Sequence, residues 1–226
     1  ANTAREDDGV HAPQDGRVIK VDGSKQLVAL ACALLPEWGK TDPHSMGRAC
    51  VDECVRQLVA MGANPQRIAI LDNFCMGNPD AEKELGALVE CTKGMAEAAI
   101  AYGAPFVSGK DSFYNYFITE DGPVSIPVTL LVSGFGIIED AKHVVGASLR
   151  RSGSKICIIG GTTPGLRGSV FAKYTKGAGI DGAPTWSDSA AWASYEKYHE
   201  LAKQGAVLSC HDLSEGGLAV ALAEFA

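Results

Sequence analysis

Residues 45–71 read SMGRACVDECVRQLVAMGANPQRIAIL, and this stretch sets the class of fold. Met46, Cys50, Cys54, Leu58 and Met61 recur at three- and four-residue steps. That spacing puts them on one face of a helix over 45–61. Gly62 is the residue type that closes a helix in the left-handed conformation. Residues 67–71, RIAIL, then form a short apolar run of the length and β-branched content of a buried strand. A helix feeding straight into a buried strand is the unit of an alternating α/β chain.

The alternation extends in both directions. Upstream, 17–21 alternates basic and apolar residues as a strand does, Asp22-Gly23 is a turn signal, and 26–35 is a second apolar strand. Residues 38–43 read as a loop in which Asp42-Pro43 marks a sharp stop. Downstream, 72–80 (DNFCMGNPD) is a loop rich in turn formers, and 81–102 is the longest helix, closed by Gly103. Residues 105–108 form a short strand that runs into a loop or turn at Gly109-Lys110-Asp111-Ser112, with a further turn at 119–122. Residues 128–138 are strongly β-prone, with Gly134 and Gly136 marking a bulge or a close backbone approach.

Residues 139–153 are polar and lose the strand pattern, which predicts a join between two domains. Beyond it come a buried strand at 155–159, a glycine-rich segment at 160–168, a loop at 177–189, a helix at 190–204, a strand at 206–210 and a helix at 215–226. That last helix carries no stop signal, so the sequence reads as a piece of a longer chain. Residues 1–11 are polar and acidic and read as a disordered lead. The expected architecture is α/β or α+β.

Composition narrows the function. The chain has 226 residues, 46% apolar and 21% charged, with a formal net charge of −7. A broad basic surface for nucleic acid is therefore not expected. No apolar run reaches the roughly 20 residues of a membrane helix, so no membrane partner is expected either. Seven cysteines, an odd number, occur without any Cys-x-x-Cys pair. They read as reduced core residues of a cytoplasmic protein. The five histidines lack metal spacing to each other or to a cysteine, which argues against zinc. Cys210-His211-Asp212 is not a nucleophilic triad, because neighbours on a strand point to opposite faces.

Oxygen ligands for a hard cation are better represented. Asp15 lies just before the first strand, Glu53 and Gln57 are four apart on the first long helix, and Asp212 follows a strand. Carboxylate and amide oxygens are what Mg²⁺ takes when it bridges nucleotide phosphates. The alternative for Glu53 and Gln57 is a solvated helix face. Lys110 and Ser112 beside Gly109 have the composition of a phosphate-cradling loop without Walker spacing, and an exposed turn is the alternative.

Seven segments occur in a fixed order: APQDGRV at 12–18, Asp42-Pro43, VDECVRQ at 51–57, DNFCMGNP at 72–79, GKDS at 109–112, LRGS at 166–169 and HDLSEGGLAV at 211–220. Together they resemble the second half of the formylglycinamide ribonucleotide amidotransferases, also called phosphoribosylformylglycinamidine synthases. These belong to the wider aminoimidazole ribonucleotide synthetase superfamily, and the likeness runs from about residue 12 to the C-terminus. It implies a synthetase-like N-terminal α/β domain over 12–148 and a truncated α+β C-terminal domain over 149–226. It also implies a nucleotide site for ATP or ADP with Mg²⁺ held by Asp15, Glu53, Gln57 and Asp212, and phosphate contacts from Lys110 and Ser112. Gln57 stands where the family has Asn, which keeps an oxygen ligand and lengthens its reach.

The implied reaction activates the amide oxygen of formylglycinamide ribonucleotide with ATP and displaces it with glutamine-derived ammonia. A glutaminase domain or subunit is the implied partner. The family's catalytic histidine belongs to the other half, so this chain alone is expected to be inactive as a ligase. Two other readings fit the same motifs: a nucleotide-holding scaffold half, and another ATP-dependent synthetase or kinase of the superfamily. The first domain's sheet is expected to pair with a second copy, giving a homodimer.

Overall fold

The computed structural model describes residues 14–161, 163–176, 182, 185 and 187–226. The expected disordered lead over residues 1–11 lies outside the described residues. Five strands form one sheet: β1 (Arg17–Lys20), β2 (Leu27–Leu34), β3 (Ile68–Cys75), β4 (Phe106–Ser112) and β7 (Thr129–Ile138), in the order β1-β2-β7-β3-β4. All neighbours are antiparallel except β3 and β4. That parallel pair is joined through α3 (Glu82–Ala101), as a parallel pair requires a crossover connection. A separate hairpin joins β5 (Tyr116–Thr119) to β6 (Gly122–Ser125).

The helix over 45–61 is α2 (Pro43–Ala60). Asp42 and Pro43, expected to end a loop, instead start this helix. The Asp42 carboxylate accepts the Ser45 N–H at 2.9 Å as N-cap, and Pro43 occupies the first turn, where it has no N–H to satisfy. The preceding loop contains a short helix, α1 (Pro36–Gly39).

α2 is buried on more than one face. Cys50, Cys54 and Leu58 lie against the sheet, where a Cβ on Gly134 would come within 2.7 Å of the Cys54 Sγ. Gly134 is thus a close approach and not a bulge, since the β2–β7 register runs unbroken. On another side α2 packs on α3 through Gly47 and Gly94. A Cβ on Gly47 would sit 2.2 Å from the Cys91 carbonyl oxygen, and one on Gly94 would sit 2.0 Å from that of His44. Only a residue without a side chain permits this spacing.

Several segments differ from expectation. Asp72–Cys75 and Gly109–Ser112, expected as loops, are the ends of β3 and β4, paired Asp72 to Gly109 and Cys75 to Ser112. Their polar residues sit on an edge pair, where strand formation does not require burial. Residues 155–159, expected as a buried strand, and 206–210, expected as a strand, lie outside any ladder. Ile156, Ile158 and Ile159 are exposed, and no strand among the described residues lies beside them to satisfy their backbone groups.

Among the described residues three α-helices follow β7: α4 (Val170–Tyr174), α5 (Asp188–Lys203) and α6 (Gly217–Phe225). α5 presents Ala191, Trp192, Tyr195, Tyr198 and Ala202 as a helical stripe to α2 and α3. Trp192 stacks on Tyr102 at 5.9 Å, and the Tyr198 hydroxyl donates to the Ala60 carbonyl at 2.8 Å. Cys50, Cys54 and Cys91 are buried as expected. Cys32 and Cys157 are not core residues but exposed, and all seven cysteines are free.

Candidate functional site

Four loop and helix segments meet beside the start of β1. Asp15 enters through Gly16, which lies so close to the neighbouring strand that a Cβ there would fall 2.2 Å from the Leu30 carbonyl oxygen. Gln14 anchors the same segment by accepting the Ala147 N–H at 3.0 Å. The Asp15 carboxylate is hydrogen-bonded to His211 Nδ1 and accepts from the Asp212 backbone N–H. His211 Nε2 lies 3.0 Å from the Glu224 carboxylate of α6. One ligand atom from each of Asp15, His211 and Asp212 falls within a sphere where all lie within 4.8 Å of one another.

Glu53 reaches the same region from α2, and Gln57 stands one turn further along that helix. Glu53 is 5% exposed, so the solvated-face alternative fails for it. It accepts a hydrogen bond from the Ser214 hydroxyl, two residues beyond Asp212. Arg56, between them in sequence, donates to the Asp52 carboxylate and to the Leu213 carbonyl at 3.1 Å, and lies 3.5 Å from Asp212. α2 therefore holds the 212–214 turn from two points.

The electrostatics are those of carboxylates forced together out of water. Burial lifts the Asp15 pKa above the ordinary carboxylate value, the neighbouring Asp212 adds to this, and His211 opposes it. Burial likewise lifts Glu53 to about 6, where Ser214 and Arg56 pull downward and Asp212 and Glu215 push upward. Burial disfavours a protonated His211 ring, but Glu224, Asp15 and Asp212 outweigh it and hold its pKa above the histidine norm.

Two buried acceptors form no hydrogen bond, the Gln57 Oε1 and the Asp212 Oδ2, the latter with the Arg56 guanidinium 3.5 Å away. Orphaned buried acceptors are costly. Beside raised carboxylate pKa values, they are the observation expected where a cation would sit. The donor set is all oxygen apart from His211 and suits Mg²⁺.

Lys110 and Ser112 are not part of this cluster. They lie on β4, at the opposite edge of the sheet from β1. Four interstrand steps of about 4.8 Å put them roughly 19 Å away. Lys110 is exposed, and the Ser112 hydroxyl lies 3.4 Å from the Asn115 side-chain oxygen.

Sequence reasoning missed Ser214, Glu224, Arg56 and the network around Asp52. Asp52 accepts from the Tyr102 and Tyr195 hydroxyls, each at 2.6 Å, as well as from Arg56. The four-residue step from Asp52 to Arg56 was the one local signal of an ion pair. The tyrosines come from α5 and the end of α3, which no local pattern joins to α2. Cys210, beside His211, has its thiol pushed up to about 11 by burial, so a nucleophilic role does not fit it.

The family model for the N-terminal domain of AIR synthase related proteins matches residues 5–138. The PurL subunit of phosphoribosylformylglycinamidine synthase from Granulibacter bethesdensis is 36% identical over 214 residues, and that from Methylocella silvestris is 35% identical over 212. Each match covers 94% of this chain and 28% of the relative, so the chain spans little more than a quarter of the length of these relatives. T. maritima PurL complexed with AMPPCP superposes with a TM-score of 0.50 at 24% identity, covering 57% of this chain and 21% of that one. The HypE–HypF complex contributes a chain with a TM-score of 0.66 at 18% identity, covering 93% of this chain and 63% of that one. At these identities the structural likeness establishes the fold.

Proposed function

Since the chain belongs to the AIR synthase related family through its N-terminal domain, we propose that it is part of an ATP-dependent carbon–nitrogen ligase of purine biosynthesis. The reaction is conversion of formylglycinamide ribonucleotide, ATP and glutamine-derived ammonia to formylglycinamidine ribonucleotide. The observation that carries this reading is the convergence of Asp15 and Asp212 near Glu53, one helical turn from Gln57, whose buried Oε1 forms no hydrogen bond. Asp15, Glu53, Gln57 and Asp212 would hold Mg²⁺, and the ion would supply charge neutralisation at nucleotide phosphates. Arg56 and Ser214 keep the turn carrying Asp212 against α2 and so keep the ligand oxygens together.

The relatives are PurL subunits, and a T. maritima PurL has been crystallised with AMPPCP. Both support a nucleotide, ATP or ADP, as ligand here. The chain divides at about 148/149 into a nucleotide-site domain and the first part of a second domain. It works in the cytoplasm with a glutaminase domain or subunit as its ammonia source, and alone it is inactive as a ligase.

The uncovered face of the sheet supports a homodimer. On the face of β2 and β7 turned away from α2, Leu30 and Leu34 are exposed and Phe135 and Ile137 are half-buried, with Leu30 paired directly to Phe135. An exposed apolar face of this kind is an interaction surface. Lys110 and Ser112 would contact phosphate only within such a pair of copies, given their distance from the acidic pocket in one chain.

Calorimetric titration of ATP and ADP with Mg²⁺ tests the site. Metal-dependent binding is expected for the unmodified chain and is lost in Asp15→Asn and Glu53→Gln. Nucleotide binding that both variants keep would overturn the assignment of this pocket.

A further inference from the structure

Asp15 precedes β1 in an irregular segment, and its carboxylate is fixed from far along the chain. His211 Nδ1 holds one carboxylate oxygen across a sequence separation of 196 residues. The ring is itself fixed on its other side: Nε2 lies 3.0 Å from Glu224, and the Phe225 ring sits 6.4 Å away, centroid to centroid. His211 is thus a strut between the last helix, α6, and the carboxylate of Asp15. Both ring nitrogens face carboxylates, so neither is turned toward Asp212, whose Oδ2 has the Arg56 guanidinium 3.5 Å away.

We infer that His211 is a positioning residue for the cation site: it is not a ligand, but fixes the Asp15 carboxylate beside that of Asp212. The inference rests on the Mg²⁺ reading of this pocket. A hydrogen-bond partner that orients a metal-binding carboxylate contributes about 10–100-fold to metal affinity. α6 sets the geometry through Glu224, so the segment after residue 211 tunes a ligand that lies before the first strand.

The two side-chain amides separate this role from a structural one. In His211→Asn the amide nitrogen falls near the position of Nδ1 and can still donate to Asp15. In His211→Gln it falls near Nε2, keeping the reach to Glu224 and losing Asp15. Mn²⁺ serves as a spectroscopic substitute for Mg²⁺, titrated by electron paramagnetic resonance on the unmodified chain, His211→Asn, His211→Gln and Glu224→Gln, with folding checked by circular dichroism.

The expected order is near-unmodified affinity for His211→Asn and a loss of about 10–100-fold for His211→Gln, with a smaller loss for Glu224→Gln. Pulsed measurements on the unmodified chain should show no coupling to a directly bound imidazole nitrogen. Equal losses in the Asn and Gln variants, retention by both, or a directly bound imidazole would each overturn the positioning role while leaving the cation site intact. Absence of Mn²⁺ binding to the unmodified chain would overturn the cation reading, and this inference with it.

Discussion

Glu53→Gln should stabilise the metal-free protein while removing its response to Mg²⁺. Burial raises the Glu53 pKa from 4.5 to about 6 in the folded chain, with Asp212 and Glu215 contributing. A carboxylate whose folded pKa is raised favours folding most while protonated. Its contribution is therefore intact below pH 4.5 and declines as pH rises through about 6. Above that pH the ionised group costs the fold about 2 kcal/mol.

Gln removes the charge and keeps an oxygen to accept the Ser214 hydroxyl. In EDTA at pH 8 its melting temperature should lie about 4–8 °C above that of the unmodified chain, for a protein of this size. At pH 5 the advantage should shrink to about 0.8 kcal/mol, because the native carboxyl is then mostly protonated. With Mg²⁺ at a hundredfold excess over its dissociation constant, the unmodified chain should gain about 2.7 kcal/mol and the variant little. The order of stabilities then reverses. Thermal unfolding followed by circular dichroism at both pH values, with and without Mg²⁺, reads all four conditions. A Gln variant less stable than the parent in EDTA at pH 8 would refute the account, since it would mean the ionised carboxylate is an asset in the absence of metal.

Three further outcomes follow from the packing. Asp52→Ala leaves the Arg56 guanidinium without its nearer carboxylate and two tyrosine hydroxyls without their shared acceptor. It should destabilise by about 3–5 kcal/mol in denaturant titration, whereas Tyr102→Phe, which removes one donor of three, should cost about 0.5–1.5 kcal/mol. Gly47→Ala drives a methyl into the Cys91 carbonyl and should lower the unfolding free energy by about 1–3 kcal/mol despite alanine's better helix propensity. Leu30→Glu, on the uncovered sheet face, should convert a dimer to a monomer in size-exclusion chromatography with light scattering. A monomeric parent chain would remove the pairing from the functional reading.

The helices α2, α3, α5 and α6 and the strands β1, β2 and β7 were legible locally. Each carries a repeating apolar pattern and a turn or cap residue near its ends, and those depend on neighbours in sequence. Asp15, Glu53, Gln57 and Asp212 were legible as residue types with oxygen ligands, and the ordered motifs tied them to a family. What the sequence alone could not determine was whether Glu53 faced water or the core, because α2 is covered on several sides by partners from three distant segments. Nor could it show that Asp72–Cys75 and Gly109–Ser112 are strands. Their polar residues look like turns until the β3–β4 pairing supplies the hydrogen bonds that make them extended. The same holds in reverse at 155–159, where an apolar run has strand propensity but no neighbour to complete a ladder. The His211 strut and the Asp52 network belong wholly to tertiary structure. Local periodicity fixes which face of an element is apolar, whereas a convergent site is fixed by which elements pack together, and the free energy that decides this comes from contacts between residues far apart in the chain.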